Sequence, residues 1–465
     1  MKKTAFIIIL LLMLPMPMRS VAYGHNGFIV KINHSRKLRR SLLPNGICEI
    51  GDKKGVYYIE SYAGIDRLKQ LGDIEYVEPN CEVYLFSAPS DEYYAEQTNL
   101  HMINAESAWD IGCFGNNVRI GVIDSGVNNH IDLDGNLLGG YNYLDGDTDT
   151  SDTNGHGTFV GGLIAAQANG IGIAGMAHKA KIVPLKCFGS GKSTDLKTIV
   201  DAIYGAVDDF YCQIVNMSFG VDNDLHSLKE AIDYVVSAGA VVVAAVGNDG
   251  NNKLYYPAAY NNVIGVGSVD EDRRVSGFSQ RNGSVFVTAP GSHVKSLSGG
   301  ASYTVKSGTS FSAPLVSGAL AVVKCVDETI NASVAMGLLA ESAEDLGDPG
   351  YDTKYGYGLL NVQSIVNKLL EGTEWFVSPI NIADDKYSVY IYNNSTNDEY
   401  VVSIFANFDG NKLSCISIAN INVLSKQCMT IEYICGIVDL ANIKHFLWKD
   451  TNCMEPLYKI RQLNV

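Results

Sequence analysis

No two of the ten cysteines stand in the C-x-x-C spacing that holds a metal ion. Positive charge is also scarce. Lys and Arg number 35 against 50 Asp and Glu, a formal net charge of −15, which argues against nucleic acid or an anionic membrane as the main partner. Charged residues make up only 18% and hydrophobic residues 46%, so the composition is that of a globular chain and not a disordered one. No second long apolar run follows the N-terminal one, so no spanning helix is expected after it. The cysteines (48, 81, 113, 187, 212, 325, 415, 428, 435, 453) are scattered, and only the last four cluster, which leaves bridges within the C-terminal segment open. Cys187 ends one strand-like run and Cys212 precedes another. If those strands are parallel neighbours, the two sulfurs lie at opposite ends and do not bond.

What is present is enough chain for about three domains and 46 glycines, which point to tight turns and close backbone approaches. Lys2 and Lys3 precede the apolar run from Ala5 to Leu14, and Ser20-Val21-Ala22 offers a small-residue cleavage site. Residues 1–22 therefore read as an export signal, the alternative being an uncleaved anchor. From Gly27 to Leu85 the strand-like runs Phe28–Ile32, Val56–Glu60 and Ile74–Asn80 and the helical spacing of Ile65–Leu71 indicate a small α+β segment. The basic run Arg36–Arg40 reads as a solvated loop. Ser87-Ala88-Pro89-Ser90-Asp91 is turn-rich and marks a boundary, giving a second unit over 23–90.

Residues 91–370 alternate strand and helix. Val118–Asp124, Ile182–Cys187, Ile214–Ser218 and Val241–Val246 are near-continuous apolar strands, and helices are expected over 195–209 and 227–238. Such strands belong to a parallel sheet covered by helices on both faces. Pro184 normally argues for an edge strand, and the pattern alone does not resolve it. In such sheets functional groups gather beyond the carboxyl ends of the strands. Asp124-Ser125-Gly126, Ser218-Phe219-Gly220 and Gly247-Asn248-Asp249-Gly250 fall there, and Asn154-Gly155-His156-Gly157-Thr158 opens a helix. Residues 371–465 change to alternating strands such as 387–392, 400–405 and 429–433. They read as a β-sandwich of immunoglobulin or fibronectin type.

Lys306-Ser307-Gly308-Thr309-Ser310 is a turn running into the small, apolar helix after Ser312, with Pro314 expected in the first helical turn, where backbone N–H groups lack intrahelical partners. Alone, Ser310 is most simply a helix cap, His156 a structural histidine and Asp124 a strand-end turn residue. Together they supply a nucleophilic hydrolase. A serine hydroxyl needs a base to take its proton, histidine has the suitable pKa, and a buried carboxylate orients the imidazole. Asn248 and the Ser310 N–H at a helix start supply donors for the oxyanion of a tetrahedral intermediate.

Val122-Ile123-Asp124-Ser125-Gly126, Asn154-Gly155-His156-Gly157-Thr158, Ala245-Val246-Gly247-Asn248 and Gly308-Thr309-Ser310-Phe311-Ser312-Ala313-Pro314 closely resemble the motifs of the subtilisin-like serine proteases, in that family's order Asp, His, Ser. The resemblance covers roughly residues 92–370. It implies an α/β fold: a subtilisin-like parallel-sheet catalytic domain preceded by a small α+β prodomain and followed by the β-sandwich module. It implies a secreted endopeptidase working through an acyl-enzyme, with Asp124, His156 and Ser310 as triad and Asn248 as oxyanion donor. Losing that amide in a subtilisin costs about 2.7–4 kcal/mol. Gly189, Ser190 and Gly191 would pair with an extended substrate on one side and Ser218, Phe219 and Gly220 on the other. The primary pocket would lie between Ser218–Gly220 and Ala244–Gly247, which includes Ala245, with Asp249 drawing basic residues mildly and Tyr255 shortening its floor.

The N-terminal unit resembles the inhibitory prodomain of these proteases, implying a zymogen that cuts itself between about Tyr84 and Glu92. Asp132, Asn169, Ile171 and Ile173 resemble part of a structural calcium site. The acidic loop Asp145, Asp147, Asp149, Asp152 reads as solvated, with a second cation site as the alternative. No cofactor is required for the chemistry. The expected partners are protein or peptide substrates and the chain's own prodomain, for a monomer with no nucleic acid and no membrane insertion after signal removal. Alternative readings are a processing protease for one secreted precursor, a carboxyl-type relative with Glu in place of His, against which His156 and Asn248 speak, and an inactive adhesion protein.

Overall fold

A computed structural model describes residues 89–371 without a break. Before them it describes 28–33, 47–50, 55–59, 68 and 73–79. After them it describes 375–377, 381–383, 386–395, 399–409, 412–423, 425, 427–434, 443–448 and 461–462. The export signal, the basic run at 36–40, the self-cleavage stretch up to residue 88, and Cys81, Cys435 and Cys453 lie outside the described residues.

The N-terminal unit is one antiparallel sheet of β1 (Phe28–Asn33), β2 (Ile47–Ile50), β3 (Val56–Ile59) and β4 (Asp73–Pro79), in the order β2-β3-β1-β4. Alternate residues Val30, Ile32, Tyr57 and Ile59 close its core with Leu68.

The central sheet is built from β5 (Arg119–Asp124), β6 (Tyr141–Asn142), β7 (Lys181–Lys186), β8 (Ile214–Met217), β9 (Val241–Ala245), β10 (Val263–Val269) and β11 (Val287–Pro290). All seven strands run parallel, in the order β11-β10-β9-β8-β5-β7-β6. Helices α1 (Thr98–Met102), α2 (Glu106–Trp109), α3 (His156–Ala165), α4 (Leu196–Asp208), α5 (His226–Ser237), α6 (Thr309–Val326), α7 (Ala332–Ser342) and α8 (Val362–Leu370) accompany it. Strands buried on both faces need two cores. Phe159 of α3 and Leu315 to Val323 of α6 pack with Ile120, Val122 and Val243 on one face. Ile199 and Ile203 of α4 and Leu228 and Ile232 of α5 pack with Ile123, Val215 and Val242 on the other.

Pro184 is accommodated although β7 is not the last strand. Ile182, two residues earlier, sends its N–H outward to Asn136 O, so the imino nitrogen of Pro184 also faces outward, where β6 pairs only from Leu185 onward. A strand needs no donor at that point. Cys187, just after β7, and Cys212, just before β8, are buried and unbridged; the two strands are parallel but not neighbours, since β5 lies between them.

A hairpin of β12 (Val294–Ser298) and β13 (Ser302–Lys306) feeds α6. This is the one helix among the described residues long and apolar enough to cross a membrane, and it lies 94% buried in the core. Pro314 is not in its first turn but is the sixth helical residue. The carbonyl it leaves without a partner is that of Ser310, four residues back. Ser218 Oγ–H donates to that carbonyl at 2.9 Å.

Among the described residues the C-terminal region consists of β-strands and their links, in two antiparallel sheets. One holds β14 (Trp375–Val377), β15 (Asn381–Ala383), β16 (Lys386–Asn393) and β19 (Cys428–Ile434). The other holds β17 (Glu399–Asp409), β18 (Lys412–Val423), β20 (Ile443–Trp448) and β21 (Arg461–Gln462). It is docked, not tethered. Tyr390 stacks edge-on against Phe114 at 5.1 Å, and Lys179 Nζ lies 4.8 Å from the Phe114 ring centre. Gly112, at φ 79°, lies so close that a Cβ there would fall 2.3 Å from Tyr390 Cβ.

Candidate active site

Asp124 is the last residue of β5, and His156 is the first of α3. Their approach depends on glycine. A Cβ on Gly157 would meet Gly126 O at 2.1 Å, so only a bare backbone lets α3 dock beside the strand end. His156 Nδ1 then donates to Asp124 Oδ1 at 2.8 Å and faces Oδ2 at 2.9 Å. The Ser125 N–H donates to the same carboxylate at 2.7 Å. Burial works against protonating His156, but the charge and hydrogen bond of Asp124 outweigh it, so its pKa lies above the usual value.

Asp152 corrects the reading of the acidic loop. It is buried, and its carboxylate accepts from the N–H groups of Gly155 at 2.7 Å and Thr158 at 2.9 Å and from Ser125 Oγ at 2.8 Å. It therefore satisfies the open N-terminus of α3 and adds negative charge at the positive end of that helix. An Asp just before an apolar helix was the available signal. Asp145, Asp147 and Asp149 are exposed, as expected of a solvated loop.

Ser310 is the second residue of α6, next to Ser218. Its hydroxyl donates to Ser218 O at 3.0 Å and not to His156. Asn216, fully buried, donates from Nδ2 to Ser218 Oγ at 3.0 Å and accepts from Ser317 Oγ at 2.9 Å, so a polar thread runs from the core to Ser310. Asn248 follows β9. Its Oδ1 accepts from the Thr309 N–H at 2.8 Å, which fixes the amide and leaves Nδ2 on the groove side. A Cβ on Gly308 would stand 3.6 Å from that Nδ2, in ordinary contact, so the amide lies beside the turn that opens α6.

These four residues share one cavity of about 840 Å³. Gly191, Ser218, Phe219 and Gly220 line it, and so do the apolar side chains of Leu196, Ile199, Leu225 and Leu228. Gly189 and Ser190 belong to the same loop, which Asn154 Nδ2 holds through Ser190 O and Gly191 O. Ala245, Gly247, Asp249 and Tyr255 are not part of the cavity wall. The ring of Tyr255 is wedged between the two segments expected to flank the primary pocket. A Cβ on Gly247 would meet its Cδ2 at 2.6 Å, and one on Gly220 its Cβ at 3.1 Å. Paired backbone hydrogen bonds of 2.8 Å between Val221 and Tyr256 fix the ring there. Its hydroxyl donates to Asp249 Oδ2 at 2.6 Å, which ties up the carboxylate expected to draw basic residues.

Asp132 is fully buried, with Oδ2 accepting from the Ile173 N–H at 3.0 Å and Tyr303 OH at 3.1 Å. Its Oδ1 has no partner, and neither has Oδ2 of the buried Asp91. Burial pushes the Asp132 carboxyl up to about 6 and raises that of Asp91. Asp91 Oδ1 accepts from the Asn169 N–H, and Asn169 Oδ1 accepts from the Ile171 N–H. Asp91 was not anticipated, because it reads as the end of a linker. Among the described residues no group of three or more His, Cys, Asp or Glu side chains is gathered for a metal.

The subtilase family (peptidase S8) profile matches residues 115–358. The chain is 35% identical to the minor extracellular protease Epr of Bacillus subtilis over 64% of its own length, and that match spans 48% of Epr. It is 37% identical to subtilisin DY of Bacillus licheniformis over 57% of its length and 96% of that protein. Among solved structures, a protease of Pseudoalteromonas arctica PAMC 21717 superposes with a TM-score of 0.56 at 28% identity, over 61% of this chain and 100% of that one.

Proposed function

The chain belongs to the subtilase family of serine proteases, and from that premise we propose that it is an exported endopeptidase, made as a zymogen, whose nucleophile is Ser310. The observation that carries this reading is the pairing of His156 Nδ1 with the buried Asp124 beside the Ser310 hydroxyl. With Nδ1 bonded to the carboxylate, Nε2 is the basic nitrogen facing the groove. Rotation of the Ser310 hydroxyl from Ser218 O toward Nε2 would make the serine a nucleophile. It attacks the scissile carbonyl, His156 takes its proton, and the oxyanion receives hydrogen bonds from Asn248 Nδ2 and the Ser310 N–H. The imidazolium then protonates the leaving amine, and water repeats the sequence on the acyl-enzyme. Steady-state hydrolysis of a protein substrate by Asn248→Ala tests the assignment. We expect kcat to fall by about 10²–10³ with little change in KM. An unchanged kcat would remove Asn248 from the mechanism.

The wedge of Tyr255 supports a primary pocket that takes small side chains, without the basic tolerance that a free Asp249 would confer. Self-cleavage upstream of Asp91 fits the tight seating of that residue and the hydrogen bond from the Tyr93 N–H to Gly172 O, which begin the ordered catalytic unit. N-terminal sequencing of secreted protein tests this, and active enzyme still carrying residues 28–85 overturns it. The orphaned oxygens of Asp91 and Asp132 fit a hard cation such as calcium. Those two residues, with Asn169 and carbonyls of the 169–173 loop that contains Ile171 and Ile173, would hold it. Its contribution is structural, since it would neutralise two buried carboxylates outside the groove. The adhesion reading has no observation in its favour.

A further inference from the structure

Lys306 was not singled out by its place in the sequence, yet it lines the catalytic cavity with Asn154, His156 and Ser310. It is half-buried, and among the described residues no carboxylate lies within ion-pair distance, Asp152 and Asp124 acting on it only from further off. Its Nζ donates to Gly155 O at 2.9 Å and lies 5.0 Å from the Phe159 ring centre, so the ammonium is held at the groove and does not swing in solvent. Two of its three donors remain for other partners.

The two faces of the sheet fix which half of a substrate Lys306 meets. The apolar end of the cavity, at Ile199, Leu225 and Leu228, stands over the α4–α5 face. On the protease reading Gly189–Gly191 and Ser218–Gly220 pair with the acyl half of a peptide, and Gly191 and Ser218–Gly220 line the cavity together with that end. Lys306 packs on Phe159, which belongs to the α3–α6 core on the opposite face. On the same reading the leaving amine departs past the His156 ring that protonates it, and Lys306, bonded to the carbonyl of the residue before His156, stands on the same cavity wall. In a protein of net charge −15, with Asp124 and Asp152 nearby, a fixed cation at this point offers a local positive partner to whatever follows the cut.

We propose that Lys306 is a specificity-determining residue for the leaving half of the substrate, selecting peptides with Asp or Glu in the first residues after the scissile bond. The inference rests on the protease reading above. The same charge faces the imidazole, where Asp124 and Asp152 favour protonation and Lys306 opposes it. Replacing it should therefore also raise the pH of the acid limb of kcat/KM.

The test uses mature enzyme whose active sites are first counted by the acyl burst on a small activated ester. Paired peptides then differ only in carrying Glu or Lys directly after the cut. We expect wild type to favour the Glu peptide by about tenfold in kcat/KM at low salt, shrinking toward parity in about 1 M NaCl. Lys306→Met should bring the ratio to within about twofold, and Lys306→Glu should invert it. A ratio unchanged in Lys306→Met, or a wild-type preference for the Lys peptide, overturns the proposal while leaving the protease reading intact. No burst from wild type overturns both. If neither variant folds, wild type still decides, because a ratio indifferent to salt is not set by this charge.

Discussion

On the proposed reading, single side chains set what this groove accepts and how firmly Ser310 is held. Tyr255 stands between Gly220 and Gly247, and removing it should open the primary pocket. Tyr255→Gly should raise kcat/KM for cleavage after Phe relative to Ala by at least about tenfold. Tyr255→Phe should keep the small-residue preference while freeing Asp249. A wild-type peptide-library profile led by large aromatics would contradict the wedge. Ser218→Ala should leave the Ser310 carbonyl without the donor that replaces the missing N–H of Pro314, a cost of about 1–3 kcal/mol in denaturant unfolding. Asp124, His156, Asn248 and Ser310 were legible in the sequence because each sits in a local pattern of glycine and small residues that its geometry demands. Lys306, Asp152 and Asp91 were not. Lys306 and Asp91 act on residues brought to them by the fold, and nothing in their own stretch of chain announces that, whereas Asp152 caps a helix only a few residues on and its one local signal went unread.

At the scale of elements, the site is a set of strand ends and helix starts brought together by bare backbone. Gly157 lets α3 reach the end of β5, and Gly157→Ala should separate His156 from Asp124. We expect kcat to fall by about 10² or more while the far-ultraviolet circular dichroism is retained, and an unchanged kcat would show that the helix tolerates the displacement. β5, β7, β8, β9, α4 and α5 follow from apolar periodicity, and their bounds agree to within a residue with the sequence reading, whereas β6, β10 and β11 were not singled out there. The two prolines did not follow. Pro184 and Pro314 violate local rules, and each is rescued by something distant in sequence: an outward-facing gap at β6 and the hydroxyl of Ser218.

For the whole molecule, the C-terminal sheets are fastened to the catalytic unit through Tyr390, Phe114 and Lys179. Truncation after residue 371 should lower the melting temperature by uncovering Phe114, whereas a merely tethered module would leave it unchanged. A chelator should lower the melting temperature of the intact protein if a cation neutralises Asp91 and Asp132, and no shift would argue against that site. The β-strand character of this region was legible from alternation, but its docking was not, since no pattern within residues 371–465 points to Gly112. All of this matters to function only if Ser310 is the nucleophile. The most direct measurement is labelling of mature protein with a fluorophosphonate, followed by mass spectrometry of the modified peptide. The account predicts stoichiometric modification on Ser310, abolished in Ser310→Ala and strongly slowed in His156→Ala. Equal labelling of wild type and Ser310→Ala would contradict it.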